Sequence, residues 1–283
     1  IQQQAIPAVR RGQDVLASSQ TGTGKTAAFA LPILQKMLDN PSTTARSNAR
    51  ALILTPTREL AAQIADNIND YAKYIDMKIV TILGGVKMDS QATKLKRGAD
   101  IIIATPGRLL EHIVACNLSL SNVDFLVLDE ADRMLDMGFS ADIQKILQAV
   151  NKKRQNLLFS ATFSTAVKQL ANTMMVKPNI IAADKQNTTA VTVSQVVYPV
   201  EQRRKRELLS ELIGKKNWQQ VLVFTATRDA ADKLEKELNL DGIPTAVVHG
   251  EKAQGSRRRA LREFKEGKMR VLVATEVAAR GLD

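Results

Sequence analysis

The sequence predicts an α/β protein of two tandem units, each a mostly parallel sheet flanked by helices. Short apolar runs at residues 51–54, 79–83, 101–104, 125–128 and 156–159 alternate with stretches of helical periodicity, the pattern left by strand–helix–strand crossovers. Runs at 193–200, 221–224, 245–248 and 270–273 repeat the scheme in the second half. The halves also echo each other: Leu52-Ile53-Leu54-Thr55-Pro56-Thr57-Arg58 and Leu222-Val223-Phe224-Thr225-Ala226-Thr227-Arg228 each carry a strand into Thr-x-Thr-Arg and then a helix. A length of 283 residues at roughly 150 per domain gives two domains, each able to bury its own core.

Residues 184–192, Asp-Lys-Gln-Asn-Thr-Thr-Ala-Val-Thr, are polar and follow neither period, so they read as a linker. The expected division is a first domain at 1–185, a linker at 186–192 and a second domain at 193–283. Cut after Gln186, the first part holds 22 basic and 16 acidic residues (net +6), the second 18 and 13 (net +5), together the +11 of the whole chain. A basic excess shared by both halves suits a polyanion lying across two domains better than one held by a basic tail. The single cysteine, Cys116, excludes a disulfide framework. The chain shows no secretory leader and no apolar run long enough to span a bilayer, so a soluble, cytoplasmic protein is expected; a monomer is expected as well.

Taken in order, the apolar stretch 14–18 reads as a strand, Gly22-Thr23-Gly24-Lys25-Thr26 as a glycine-rich turn, and 27–38 as the helix it opens. Such a turn offers backbone N–H groups and the positive end of a helix dipole to a triphosphate. Lys25 would neutralise the outer phosphates and Thr26 would hold magnesium. One departure stands out: the strict phosphate-loop pattern wants a glycine where this chain has Ser19. A chance surface loop is the plainer alternative.

The strand at 125–128 then runs into Asp129-Glu130-Ala131-Asp132. Magnesium takes hard oxygen ligands and keeps several waters, so Asp129 at the strand end suits the metal. Glu130 points elsewhere and can polarise an attacking water. Alone, the acids could simply mark a helix start, where the dipole favours them.

With these residues in place the chain resembles the DEAD-box ATP-dependent RNA helicases of superfamily 2, named for the string at Asp129 to Asp132. Ile1-Gln2 resembles the end of the family's adenine-reading motif, and Ser19 to Thr26 its phosphate loop. Pro56-Thr57-Arg58-Glu59-Leu60, Gly84-Gly85, Thr105-Pro106-Gly107-Arg108 and Ser160-Ala161-Thr162 follow in family order. So do Val223-Phe224-Thr225, Gln254 with Arg257, and the run from Thr275 through Arg280 to Asp283. Each string alone is unremarkable; in this order they are specific.

The resemblance implies two tandem RecA-like domains, the second incomplete, that use ATP and Mg2+ and close on single-stranded RNA to open short duplexes or remodel RNA–protein complexes. It places Gln2, Ser19, Gln20, Thr21, Gly22, Thr23, Gly24, Lys25, Thr26 and Asp283 around the nucleotide, with Lys25, Asp129 and Glu130 catalytic. Thr26 and Asp129 would hold the metal. Asp132, Ser160, Thr162 and Arg280 would couple the nucleotide to domain arrangement. Pro56, Thr57, Arg58, Gly84, Gly85, Thr105, Pro106, Gly107, Arg108, Thr225, Gln254, Arg257 and Thr275 would meet RNA, mainly at phosphate and ribose.

Plainer roles stand beside these. Thr57 and Thr227 could start helices, and Ser160 and Thr162 could cap the helix beginning near Thr165. Gly84-Gly85 could be an ordinary turn, although adjacent glycines also let a sugar–phosphate chain approach. The glutamine amide of Gln2 could read adenine N6 and N7, or be one more helical glutamine. The basic runs Arg203 to Arg206 and Arg257 to Arg259 read as solvated faces, with Arg257 alone promoted because it shares a helix face with Gln254. His112 and His249 read as structural. Aromatics are only 4% of the chain, which disfavours a base-stacking platform.

Ending at Asp283, the sequence precedes the family's arginine-rich string, so the resemblance implies a piece longer at both ends in nature and impaired in hydrolysis by itself. It suggests a bacterial member, of an RhlE-like subgroup. Two alternatives stay open: a DNA-directed superfamily 2 ATPase, and a non-catalytic, ATP-gated RNA clamp.

Overall fold

A computed structural model of the chain describes residues 1–18, 23–41, 49–182 and 194–275, with only the backbone of Gln254. The chain divides into two compact units, the changeover lying outside the described residues.

The first unit runs α1 (Gln2–Arg10), β1 (Val15–Ser18), α2 (Lys25–Asp39), β2 (Ala51–Leu54), α3 (Arg58–Tyr71), β3 (Ile79–Ile82), α4 (Met88–Lys96) and β4 (Ile101–Ala104). It continues with α5 (Pro106–Val114), β5 (Phe125–Leu128), α6 (Ala131–Asp136), α7 (Ser140–Ala149), β6 (Gln155–Ser160), α8 (Thr165–Met174) and β7 (Asn179–Ala182). Its seven strands form one sheet in the order β3-β4-β2-β5-β6-β1-β7. Every pairing is parallel. Helices cover both faces, so strands such as β2, β4 and β5 are buried throughout, as continuous apolar runs require.

Alternate residues serve the two faces. Val15, Ala17, Ile53, Ile103, Val127, Leu157 and Phe159 pack with Phe29 and Ile33 of α2 and Ile64 and Ile68 of α3. Leu16, Leu52, Leu54, Ile102, Leu126, Leu128 and Leu158 pack with Leu109, Met134, Ile143 and Val167 of later helices.

The second unit opens with a 3₁₀ turn at Gln202–Arg204, then α9 (Lys205–Lys215), β8 (Val221–Thr225), α10 (Arg228–Leu240), β9 (Thr245–Val248), α11 (Gln254–Lys265) and β10 (Val271–Thr275). Its three strands lie in the order β8-β10-β9, again parallel. Ile213, Ala231, Leu238, Val271 and Val273 form one core layer, and Val248, Ala260 and Leu272 the other.

Three expectations need correction. The apolar run at 193–200 is not a strand over its described residues: Ser194 to Pro199 are exposed, with Val197 90% accessible. A valine-rich segment makes a strand only where another edge accepts its hydrogen bonds, and none pairs with it among the described residues. Conversely β7 (Asn179–Ala182) is a strand that the sequence pattern does not announce. It is a short edge strand in which Ile181 is buried and Ile180 exposed, too little pattern to register, and it is recruited by pairing with β1. Finally, the helix expected at 27–38 begins at Lys25, because Gly24 at φ 82° turns the chain into it through the left-handed region.

Phe29 and Phe159 are fully buried with ring centroids 5.4 Å apart and planes tilted 54°, joining α2 to β6. Phe29→Ala should cost about 3–5 kcal/mol, read as a lowered urea midpoint at unchanged slope.

Candidate functional site

Parallel strands deliver their following loops to one edge, and the first unit gathers its motif residues there. Gly24 caps α2, whose first residues are Lys25 and Thr26. Lys25 is only 7% exposed. Two strands along the order lies the end of β5, and a cleft of about 220 Å³ between them is lined by Gly24, Lys25, Thr26, Asp129 and Glu130. The Gln2 amide of α1 donates to the Gly24 carbonyl at 3.3 Å. A Cβ on Gly24 would lie 2.4 Å from that amide and displace the glutamine, while the φ of 82° is what favours glycine there.

Asp129 follows β5 directly and is 2% exposed. Its N–H donates to the Leu54 carbonyl at 2.9 Å, and its Oδ1 accepts from the Glu130 N–H at 3.0 Å. Burial pushes its pKa up to about 6, with the Lys25 ammonium opposing the rise. A carboxylate held out of water this way favours a cation. Glu130 stands in the left-handed region at φ 54°, ψ 52°, and forms an ion pair with Arg133 of α6. Thr26 and Asp129 contribute a hydroxyl and a carboxylate to one cleft, the donor types magnesium accepts. Among the described residues no group of three or more His, Cys, Asp or Glu could hold a metal. A hydroxyl and one carboxylate are a donor set that a cation keeping most of its water could use.

Asp132 is tied to the segment after β6. Its Oδ2 accepts from the Ala161 N–H at 3.1 Å, the Thr162 N–H at 3.0 Å and the Thr162 hydroxyl at 3.1 Å, while its own N–H donates to the Ser160 hydroxyl at 3.3 Å. The Ser18 hydroxyl at the end of β1 donates to the Ala161 carbonyl at 3.2 Å, adding the strand before the glycine turn. Neither Ser160 nor Thr162 caps α8; Ser164 does, accepting from the Val167 N–H.

Further along the edge, Thr57 caps α3 by accepting from the Leu60 N–H at 3.3 Å, so the helix-starting role is real there. Pro56 precedes it and Arg58 opens the helix. The Arg58 guanidinium lies over Gly85, where a Cβ would come within 2.1 Å of its Nη1, while a Cβ on Gly84 would meet nothing within 4 Å. Thr105 precedes α5, whose first turn contains Pro106, Gly107 and Arg108. Arg108 donates to the Val86 carbonyl and pairs with Glu111 at 2.8 Å. Sequence reasoning missed Gln91 of α4, whose buried amide accepts from the Leu83 N–H and donates to the Leu83 carbonyl, both at 2.9 Å, and to the Val86 carbonyl at 3.3 Å. It fixes the glycine pair from beneath; a lone glutamine in a polar helix carries no signal of this in sequence.

In the second unit Thr225 and Thr275 end neighbouring strands in register. Thr227 caps α10, accepting from the Ala230 N–H at 3.2 Å. Of the run Arg257 to Arg259, only Arg257 is buried. Arg203, Arg204 and Arg206 form ion pairs near the surface with Glu201, Glu207 and Asp241. His249 is buried against Asp232 at 3.0 Å. His112 is buried beside Asn117, and burial, reinforced by Arg108, holds its pKa below the usual imidazole value. Ser19, Gln20, Thr21, Gly22, Arg280, Asp283 and the Gln254 side chain lie outside the described residues. No helix among the described residues is long and apolar enough to cross a membrane.

Residues 1–170, more than half of the chain, match the family model described as DEAD/DEAH box helicase. The chain belongs to that family. Residues 204–283 match the helicase conserved C-terminal domain. This helicase chain is 44% identical to the ATP-dependent RNA helicase RhlB of Pseudomonas aeruginosa, over all of its own length and 72% of that protein. It is 40% identical to the DEAD-box ATP-dependent RNA helicase CshA of Bacillus cereus, spanning about half (53%) of it. The crystal structure of a DEAD box protein from the hyperthermophile Methanococcus jannaschii aligns with a TM-score of 0.58 at 37% identity, covering 99% of this chain and 74% of that one. That of the yeast DEAD-box splicing factor Prp28 aligns at 0.62 and 32%, covering 100% and 66%. These relatives bear the names RhlB and CshA, and they lend the RhlE-like expectation no specific support.

Because the folded pKa of Asp129, about 6, exceeds its ordinary 3.8, its contribution to stability is complete below pH 3.8 and lost as pH rises through 6. Asp129→Asn removes that loss. In chelator, the stability difference between variant and parent should move in the variant's favour by up to about 3 kcal/mol between roughly pH 4 and 8. Urea titrations across that range would show it, and parallel pH profiles would refute it.

Proposed function

We propose that the chain is the helicase portion of an ATP-dependent RNA helicase that works as a cytoplasmic monomer, closing on a single RNA strand to open short duplexes or remodel RNA–protein complexes. The observation that carries this reading is the cleft in which Lys25, Asp129 and Glu130 meet, joined through Asp132 to the Ser160–Thr162 segment. The names of RhlB and CshA as ATP-dependent RNA helicases support the substrate class.

In this reading Gln2 selects adenine, the glycine turn and Lys25 hold the triphosphate, and Thr26 and Asp129 hold magnesium, which supplies charge neutralisation at the phosphates. Glu130 orients a water and accepts its proton as the water oxygen bonds to the terminal phosphorus and the bond to the bridging oxygen breaks, giving ADP and phosphate. Asp132, Ser160 and Thr162, with Arg280, pass the nucleotide state to the arrangement of the units. Arg58, the face of Gly84, Thr105, Arg108, Thr225, Gln254, Arg257 and Thr275 meet phosphate and ribose, so binding has little sequence preference and weakens steeply with salt.

ATP turnover by the full-length protein should be stimulated by single-stranded RNA and not by DNA of equal length. Glu130→Gln should lower the stimulated rate at least about a hundredfold while leaving ATP binding in place. Equal stimulation by DNA would favour a DNA-directed enzyme, and unchanged turnover by the variant would remove Glu130 from catalysis.

A further inference from the structure

Arg133 belongs to none of the strings that mark the family in this sequence, yet it binds the carboxylate to which hydrolysis is assigned. We propose that Arg133 is a positioning residue for the reaction, fixing the Glu130 carboxylate and fastening it to the network around Asp132; this rests on the reading of Glu130 as proton acceptor.

Glu130 occupies a left-handed backbone conformation, which a residue with a side chain keeps only where its surroundings impose it. At the backbone, the Asp129 carboxylate accepts from its N–H at 3.0 Å and its carbonyl accepts from the Met134 N–H at 3.1 Å. At the side chain, the guanidinium of Arg133 pairs with Oε2. Arg133 lies three residues on, so it shares the helix face of its partner. The Glu130 side chain is 8% exposed and that of Arg133 24%. The pair is thus largely withdrawn from water while Glu130 still lines the cleft, and the planar guanidinium limits the rotamers the carboxylate can adopt.

The same arginine has a second attachment. Its N–H donates to Asp132 Oδ1 at 3.0 Å, whereas Asp132 Oδ2 takes the Thr162 hydroxyl and the amides of Ala161 and Thr162. One oxygen of Asp132 therefore holds the start of α6, and the other holds the segment after β6. A shift of that segment draws on Asp132 and so on the turn carrying Arg133 and Glu130. The route is made of direct hydrogen bonds, and energetic coupling is what establishes it.

The test is RNA-saturated ATP turnover by the full-length protein, with thermal unfolding confirming that each variant folds. Arg133→Gln should lower kcat about tenfold or more with KM for ATP changed less than about twofold. Arg133→Lys, which keeps the cation but not the fork, should recover only part of the loss, leaving kcat about two- to fivefold below the parent. In a Glu130→Gln background, Arg133→Gln should add less than about a twofold change, because its target is gone. Parental kcat in Arg133→Gln, a KM rise matching the kcat loss, or an undiminished further loss in the double variant would each overturn the proposal. Should Arg133→Gln fail to fold, Arg133→Lys decides alone: a fall in kcat of about two- to fivefold at constant KM supports it, and parental turnover overturns it. If Glu130→Gln itself retains turnover, the assignment of Glu130 fails first, whatever Arg133 does.

Discussion

Parallel pairing throughout both sheets is the constraint on which the remaining structure depends. Parallel neighbours must be joined by crossovers, and the helices of those crossovers bury both sheet faces. All chemistry is then displaced to the carboxyl edge, where open α/β sheets bind their ligands. In the first unit the glycine turn follows β1, Asp129 follows β5, Ser160 closes β6, and the Thr57 and Thr105 loops follow β2 and β4. At about 4.8 Å per strand, the order β4-β2-β5-β6-β1 separates the Thr105 and Lys25 ends by roughly 19 Å. A nucleotide and a polymer backbone can occupy one edge without competing for it.

The electrostatics of that edge follow from burial. Asp129 is held where water cannot solvate its charge, and Lys25 offsets only part of the penalty. A carboxylate in that position gains most from a metal cation. Glu130, next in sequence, carries its strain in the backbone. The two carboxylates therefore differ in kind: one is buried with the Lys25 ammonium nearby, the other is paired with Arg133.

The fold was readable in the sequence wherever an element is buried on both faces, because continuous apolar runs such as Ile101 to Ala104 have no other stable home. It was misread at the margins. The valines near 196 carry strand composition without a partner, and β7 is a strand only because β1 accepts it. Pairing is a property of two segments, and single-sequence patterns describe one. Of the candidate site, what the sequence places together the fold also brings together at Lys25, Thr26, Asp129 and Glu130, which share a cleft. Arg133 and Gln91 escaped because arginine and glutamine on a short helix are commonplace. Their roles arise from what the fold sets beside them: a left-handed glutamate and a bare loop of backbone amides.

The most direct measurement is a crystal structure of the full-length protein with magnesium and a non-hydrolysable ATP analogue. The account predicts density for the triphosphate against the Gly24–Thr26 turn, with Lys25 at its outer phosphates and the metal beside Asp129. Nucleotide bound elsewhere, or a metal that Asp129 does not approach, would contradict it.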